Sequence, residues 1–164
     1  MLILCKAIGS DSYFEEAQKN KKRNKRKKKM KTRKEKILVI DDQEWVRAVL
    51  VAVLGSFGFQ DIIQASSGEE GIQMIEKHQP RVTLTDFSMP GGMRGDALVR
   101  WFSTDHKPAY PEARIMGVAS DDGSVGSAFL AAGADDFLPK PFENEELRKK
   151  VDALLAQADH VVGA

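Results

Sequence analysis

Three carboxylates and one amine carry the chemistry that this sequence can offer: Asp41, Asp42, Asp86 and Lys140, each at or just past the end of a short apolar run. Carboxylates gathered at one sheet edge repel, and a close pair about 4 Å apart costs roughly 4 kcal/mol at an effective dielectric near 20. A fold keeps such a cluster only if cations offset it. Lys140 supplies one charge, and a hard divalent ion such as Mg²⁺, which takes carboxylate and carbonyl oxygens and bridges to phosphates, is the natural second partner. An acidic pocket with a metal and a lysine suits phosphoryl chemistry, with the cations neutralising the transferring oxygens and one carboxylate as nucleophile. Asp86 is the best nucleophile candidate, because its run is central and the following Met89-Pro90-Gly91-Gly92 forces an open loop. Taken singly these features are bland: an Asp pair after a strand is usually a turn or cap, and Lys-Pro is a common surface dipeptide. Their joint occurrence at the ends of the first, third and fifth runs argues for a site.

The elements that must position these residues follow from periodicity. Ile37–Ile40 is a continuous β-branched and apolar run, as expected of a strand buried on both faces. Val46, Val49, Leu50, Val53, Leu54 and Phe57 then recur three and four apart, the apolar face of a helix closed by Gly55 and Gly58. A second strand is expected at Ile62–Ala65. Ser67-Gly68-Glu69-Glu70 has the spacing of a capping box that opens a helix. The third strand is Val82–Thr85, a third helix covers Ala97 to Phe102, and Pro108 and Pro111 mark a long surface connection. Ile115–Ala119 reads as the fourth strand, with Ser120 after it. A helix weakened by Gly123 and Gly126 runs to Ala132, with Gly133 as its C′ residue. Phe137-Leu138 is a short fifth strand, and the last helix turns Leu147, Val151 and Leu154 inward. Strand–helix alternation repeated five times implies an α/β fold, a parallel sheet covered by helices on both faces. Polar site residues in such a sheet gather beyond the carboxyl ends of the strands.

Charge is divided unevenly. Residues 1–36 hold 14 Lys/Arg against four Asp/Glu, whereas residues 37–164 hold 11 against 20. The expected organisation is therefore a basic, disordered extension over 1–35, a domain over 36–157 and a short tail over 158–164 in which His160 is solvated. The extension is compatible with electrostatic contact to nucleic acid or anionic lipid on charge alone, because it has neither interleaved aromatics nor an apolar helix face. Its Lys, Asn and Arg runs are also what A-rich leader sequence encodes, which makes Met30 the favoured start. One cysteine, Cys5, excludes an intramolecular disulfide. No run approaches the ~20 apolar residues of a membrane span, and a cytoplasmic location without membrane insertion is expected. Trp45 and Trp101 are assigned to helix packing.

The ordered set Ile37-Leu38-Val39-Ile40-Asp41-Asp42, Ala65-Ser66-Ser67-Gly68-Glu69-Glu70, Thr85-Asp86-Phe87-Ser88-Met89-Pro90, Gly133-Ala134-Asp135-Asp136-Phe137 and Lys140-Pro141-Phe142 resembles the receiver domain of two-component response regulators, over about three-quarters of the chain. The resemblance implies a flavodoxin-like (βα)5 fold, doubly wound around a parallel five-stranded sheet of order 2-1-3-4-5. It implies that Asp86 accepts a phosphoryl group from a histidine kinase or histidine phosphotransfer protein. Asp41, Asp42, Asp86 and the backbone carbonyl of Ser88 would hold Mg²⁺, Lys140 would contact the acyl phosphate, and Lys140-Pro141 would be cis. Phe137 would be the switch residue on the face of the fourth helix, fifth strand and fifth helix, which would bind a downstream protein.

Two departures stand out. Counting back from Lys140 without gaps puts Val118 where the family has a Thr or Ser hydroxyl, with Ser120 as the nearest substitute. The loop after Asp86 is one residue longer than usual, which implies extra freedom beside the metal. Only nine residues follow Leu155, so output is expected through protein contacts or a relay role. The expected function is a stand-alone phospho-acceptor switch rather than a conventional enzyme. The rival is a pseudo-receiver that binds partners without phosphorylation. A haloacid-dehalogenase-like phosphatase fits poorly, because it needs an Asp where Ser88 stands.

Overall fold

The computed structural model describes residues 32–120 and 124–162. The basic segment with Cys5 and Met30, Gly123, and the His160 side chain lie outside the described residues. Five strands, β1 (Ile37–Ile40), β2 (Ile62–Ala65), β3 (Val82–Thr85), β4 (Arg114–Ser120) and β5 (Asp136–Lys140), form one parallel sheet of order β2-β1-β3-β4-β5. Five helices alternate with them: α1 (Glu44–Ser56), α2 (Gly68–His78), α3 (Gly95–Trp101), α4 (Val125–Ala132) and α5 (Asn144–Val162). This is the flavodoxin-like arrangement expected.

Alternate strand residues feed two cores. Ile37, Val39, Leu84, Met116, Val118 and Leu138 pack beneath α1 and α5, against Val46, Leu50, Leu54, Leu147, Val151 and Leu154. Leu38, Ile40, Ile115 and Ala119 pack on the other face against Ile75, Leu98, Phe102 and Phe129. Burial of both faces explains why the strands read as continuous apolar runs rather than alternating ones. The helix stripe was drawn too wide, for Val49 lies 51% exposed at its margin.

Helix ends follow local chemistry. The Ser67 hydroxyl accepts from Glu70 N–H at the start of α2. The return bond of the capping box is displaced by one residue, with Glu70 accepting from Ser66 N–H at 2.7 Å. Gly133 ends α4 with φ +102, a left-handed conformation that favours glycine. The third helix runs on as a π-helical turn over Phe102–His106, with Lys107 N–H donating to Phe102 O at 2.8 Å. The surface connection is correspondingly shorter than Pro108 and Pro111 implied.

Contacts and regular structure continue past residues 36 and 157 at the two ends of the expected domain. Arg33 bridges to Phe59, its N–H donates to Gly58 O at 2.9 Å, and its guanidinium pairs with Asp152 at 2.5 Å. The ordered domain thus begins before residue 36. The expected tail from 158 instead continues α5 to Val162, because Ala158 is fully buried and Asp159 pairs with Arg81. Among the described residues no helix is long and apolar enough to cross a membrane.

Candidate functional site

Pairing of Ile40 with Thr85 brings the next residues of β1 and β3, Asp41 and Asp86, side by side at the carboxyl edge of the sheet. Asp86 N–H donates to Ile40 O at 2.9 Å, which locks that alignment. Lys140 ends β5 and reaches past β4 to both acids, with Nζ at 2.9 Å from Asp41 Oδ2 and 3.0 Å from Asp86 Oδ1. Asp41 is 1% exposed and Asp86 9%. Burial pulls the Lys140 pKa down, but the hydrogen bonds and charges of Asp41 and Asp86 outweigh it, so the ammonium sits above the usual lysine value. The Lys140-Pro141 bond is cis, as expected.

The remaining oxygens are unequally satisfied. Asp41 Oδ1 accepts from Gln43 N–H and Asp86 Oδ2 from Ser88 N–H, both at 2.9 Å. Asp42 Oδ1 is buried and has no partner. A buried anionic oxygen without a donor is costly unless a cation meets it. Among the described residues no three His, Cys, Asp or Glu side chains are grouped closely enough to cage a metal unaided. The donor set still fits Mg²⁺, which needs only one or two carboxylates and keeps several waters, and the orphaned Asp42 oxygen is the observation that favours it.

Two features were missed in the sequence. Arg47 on α1 donates from Nη1 to Asp41 O at 2.8 Å and Asp42 O at 3.3 Å, pinning the acidic turn from below. Its partners are backbone atoms, so no side-chain pattern announces it. Phe87, directly after Asp86, meets Phe129 edge-on at 5.3 Å, and Phe129 stacks on Phe137 at 5.7 Å. Three aromatic rings therefore connect the acid to β5. Gly117 makes room for this, since a Cβ there would lie 2.4 Å from the Phe129 ring.

The structure also revises expectations. Val118 packs beneath α1 and α5, on the opposite face of the sheet from Phe137. Ala119, the next β4 residue, lies on the Phe137 face and also lacks a hydroxyl. Ser120 is exposed and lies opposite Lys140 in the β4–β5 register. The loop after Asp86 is not loose at its far end: a Cβ on Gly95 would lie 2.0 Å from Asp86 O, and Gly95 N–H donates to Phe87 O at 2.9 Å. Trp45 does not pack; it is 67% exposed and donates to Gln43 Oε1.

With that geometry in hand, comparison with known proteins is informative. Residues 37–152 match the response regulator receiver domain family. The chain is 32% identical over 127 residues to a probable transcriptional regulator, ycf27, of Porphyridium aerugineum, covering 77% of this chain and 50% of that one. It is 28% identical over 126 residues to chemotaxis protein CheY1 of Helicobacter pylori strain J99, covering 76% of this chain and 99% of that protein. It therefore spans about half of the ycf27 regulator and nearly all of CheY1. A crystal structure of a putative response regulator from Chloroflexus aurantiacus superposes with a TM-score of 0.69 at 32% identity, over 76% of this chain and 99% of that one.

Proposed function

The chain belongs to the response regulator receiver domain family, and from that premise we propose that it accepts a phosphoryl group on Asp86 and signals through protein contacts. The donor would be a phosphohistidine on a histidine kinase or phosphotransfer protein. The observation that carries the reading is the Lys140 ammonium shared between Asp41 and Asp86.

In the transfer, an Asp86 carboxylate oxygen attacks phosphorus in line as the nitrogen–phosphorus bond breaks. The electron pair leaves with the histidine ring and the product is an acyl phosphate. Lys140 stays within reach of the new phosphoryl oxygens and balances their charge. Asp41, Asp42, Asp86 and the Ser88 carbonyl would hold Mg²⁺, which when bound neutralises the same oxygens. The chemistry is confined to the protein's own Asp86, so the molecule acts as a switch rather than as an enzyme on other substrates. Trp45 and Val49, exposed on α1 beside the acidic turn, offer the donor protein an apolar footing. Phe137 and the α4–β5–α5 face would carry the output.

A second reading has one observation in its favour. Neither Val118 nor Ala119 has a hydroxyl to sense the phosphoryl group, as an adaptor that binds partners without phosphorylation would allow. Incubation with acetyl phosphate and Mg²⁺, followed by intact mass measurement, separates the two. We expect a phosphoryl adduct that is lost completely in Asp86→Asn. No adduct on the parent chain favours the adaptor, and an adduct that persists in the variant refutes the site.

A further inference from the structure

Resting on that reading of the site, we propose that Glu69 is a positioning residue for the phospho-acceptor loop: its carboxylate latches the β3–α3 connection to the start of α2. The connection from Asp86 to Arg94 contains Met89-Pro90-Gly91-Gly92 and, on composition alone, is the freest backbone near the site. It is nevertheless held along its length. Met89 is buried, and Gly95 rests against the carbonyl of Asp86.

The far end of the loop is tied to Glu69. Met93 N–H donates to Glu69 Oε1 at 2.8 Å. Gly92 lies so close that a Cβ there would be 2.8 Å from Glu69 Oε2, and a Cβ on Gly68 would be 2.8 Å from Met93 Cβ. The glycines thus let the helix start and the loop meet, and the carboxylate fastens them. The Glu69 pKa is lowered by bonds from its own N–H and from Met93 N–H, so it is an anion at neutral pH. Its position in the first turn of α2 also favours negative charge.

Two consecutive glutamates therefore divide the work. Glu70 closes the helix start on Ser66, while Glu69 reaches outward to the loop. The loop carries Ser88, whose N–H bonds Asp86 and whose carbonyl is a proposed metal ligand. Fixing Met93 restricts the loop that carries the Ser88 carbonyl, as hydrogen-bond partners of metal ligands commonly do.

The test compares the parent chain with Glu69→Ala and Glu69→Gln. Gln keeps the length and an acceptor oxygen but not the charge. The Mg²⁺ dissociation constant is read from tryptophan fluorescence, Trp45 standing beside the acidic turn, and Met93 amide exchange is followed in parallel. Glu69→Ala should weaken Mg²⁺ roughly tenfold and speed Met93 exchange with little change in thermal midpoint. Adduct formation should slow at limiting Mg²⁺ and recover at saturating Mg²⁺. Glu69→Gln should restore most of the Mg²⁺ affinity. An unchanged Mg²⁺ constant in Glu69→Ala overturns the latch, as does a Glu69→Gln variant as weak as the alanine. A parent chain that binds no Mg²⁺ and takes no phosphoryl group overturns the phospho-acceptor reading and the positioning role with it. A parent that does both while Glu69→Ala matches it sinks the latch alone.

Discussion

Lys140 and His106 are both basic side chains withdrawn from water at opposite ends of the same sheet, and their charges are handled in opposite ways. Lys140 ends β5 at the carboxyl edge. His106 closes the π-helical turn near Arg81 and Ala113, which immediately precede β3 and β4. Burial disfavours the cation in both places. Around Lys140 two carboxylates within hydrogen-bond distance reverse that effect and raise its pKa. Around His106 burial prevails over the weaker pull of Glu76 and Glu112, and its pKa falls. The histidine stacks instead on Tyr110 at 4.5 Å and Trp101 at 5.9 Å, with Phe102 tilted against it at 5.2 Å. One edge is held by paired charge, the other by apolar stacking around a neutral ring.

Replacing Lys140 breaks the first half of that contrast most severely. Lys140→Met leaves Asp41 and Asp86 buried without their cation, and should cost about 3 kcal/mol in denaturant unfolding at pH 7.5 with a chelator present. Millimolar Mg²⁺ should return part of the loss, because it substitutes for the missing charge. A change within about 0.5 kcal/mol would mean that charge balance does not hold this edge together. Since the Lys140 pKa is raised, its contribution is complete below the ordinary lysine value near 10.4 and is lost as pH rises through the raised one. The pairing should therefore be insensitive to pH from 6 to 9.

Asp42→Asn probes the same edge from the opposite side. Its buried Oδ1 has no partner, so removing the charge should stabilise the metal-free chain by about 1 kcal/mol. The variant should also lose most of the stabilisation that Mg²⁺ gives the parent. Equal Mg²⁺ responses in the two chains would remove Asp42 from the metal set.

The carboxyl edge was more legible in the sequence than its opposite. Strand ends carry side chains to a known place, so Asp41, Asp86 and Lys140 could be put together from the alternation of runs alone. Counting residues could not tell which face Val118 occupies, because a shift of one residue in a strand reverses every side chain. The ring stack around His106 left no trace, since a π turn changes the spacing that periodicity assumes. Arg47 and Glu69 were invisible because their partners are the backbone of Asp41, Asp42 and Met93. Composition also hid one contact: Arg33 looks like part of a basic run, yet it is tied to Asp152 and Phe59.

His106→Phe tests the second half of the contrast and should have the smallest effect at neutral pH. His106 is 5% exposed and its Nε2 has no partner, so a phenyl ring of similar shape removes an unsatisfied atom while keeping the stack. At pH 7.5 the change should stay within about 1 kcal/mol. The pH profile is more telling. The unfolded chain takes up a proton on this ring near pH 6.5, whereas the folded chain resists it. Stability should therefore be complete above that value and decline as pH falls from there through the depressed folded pKa. The slope from one such group cannot exceed about 1.4 kcal/mol per pH unit. His106→Phe should flatten this part of the curve. Parallel curves between pH 7 and 5.5 would show that His106 already takes its proton in the folded state, and the two ends of the sheet would then differ in partners but not in charge.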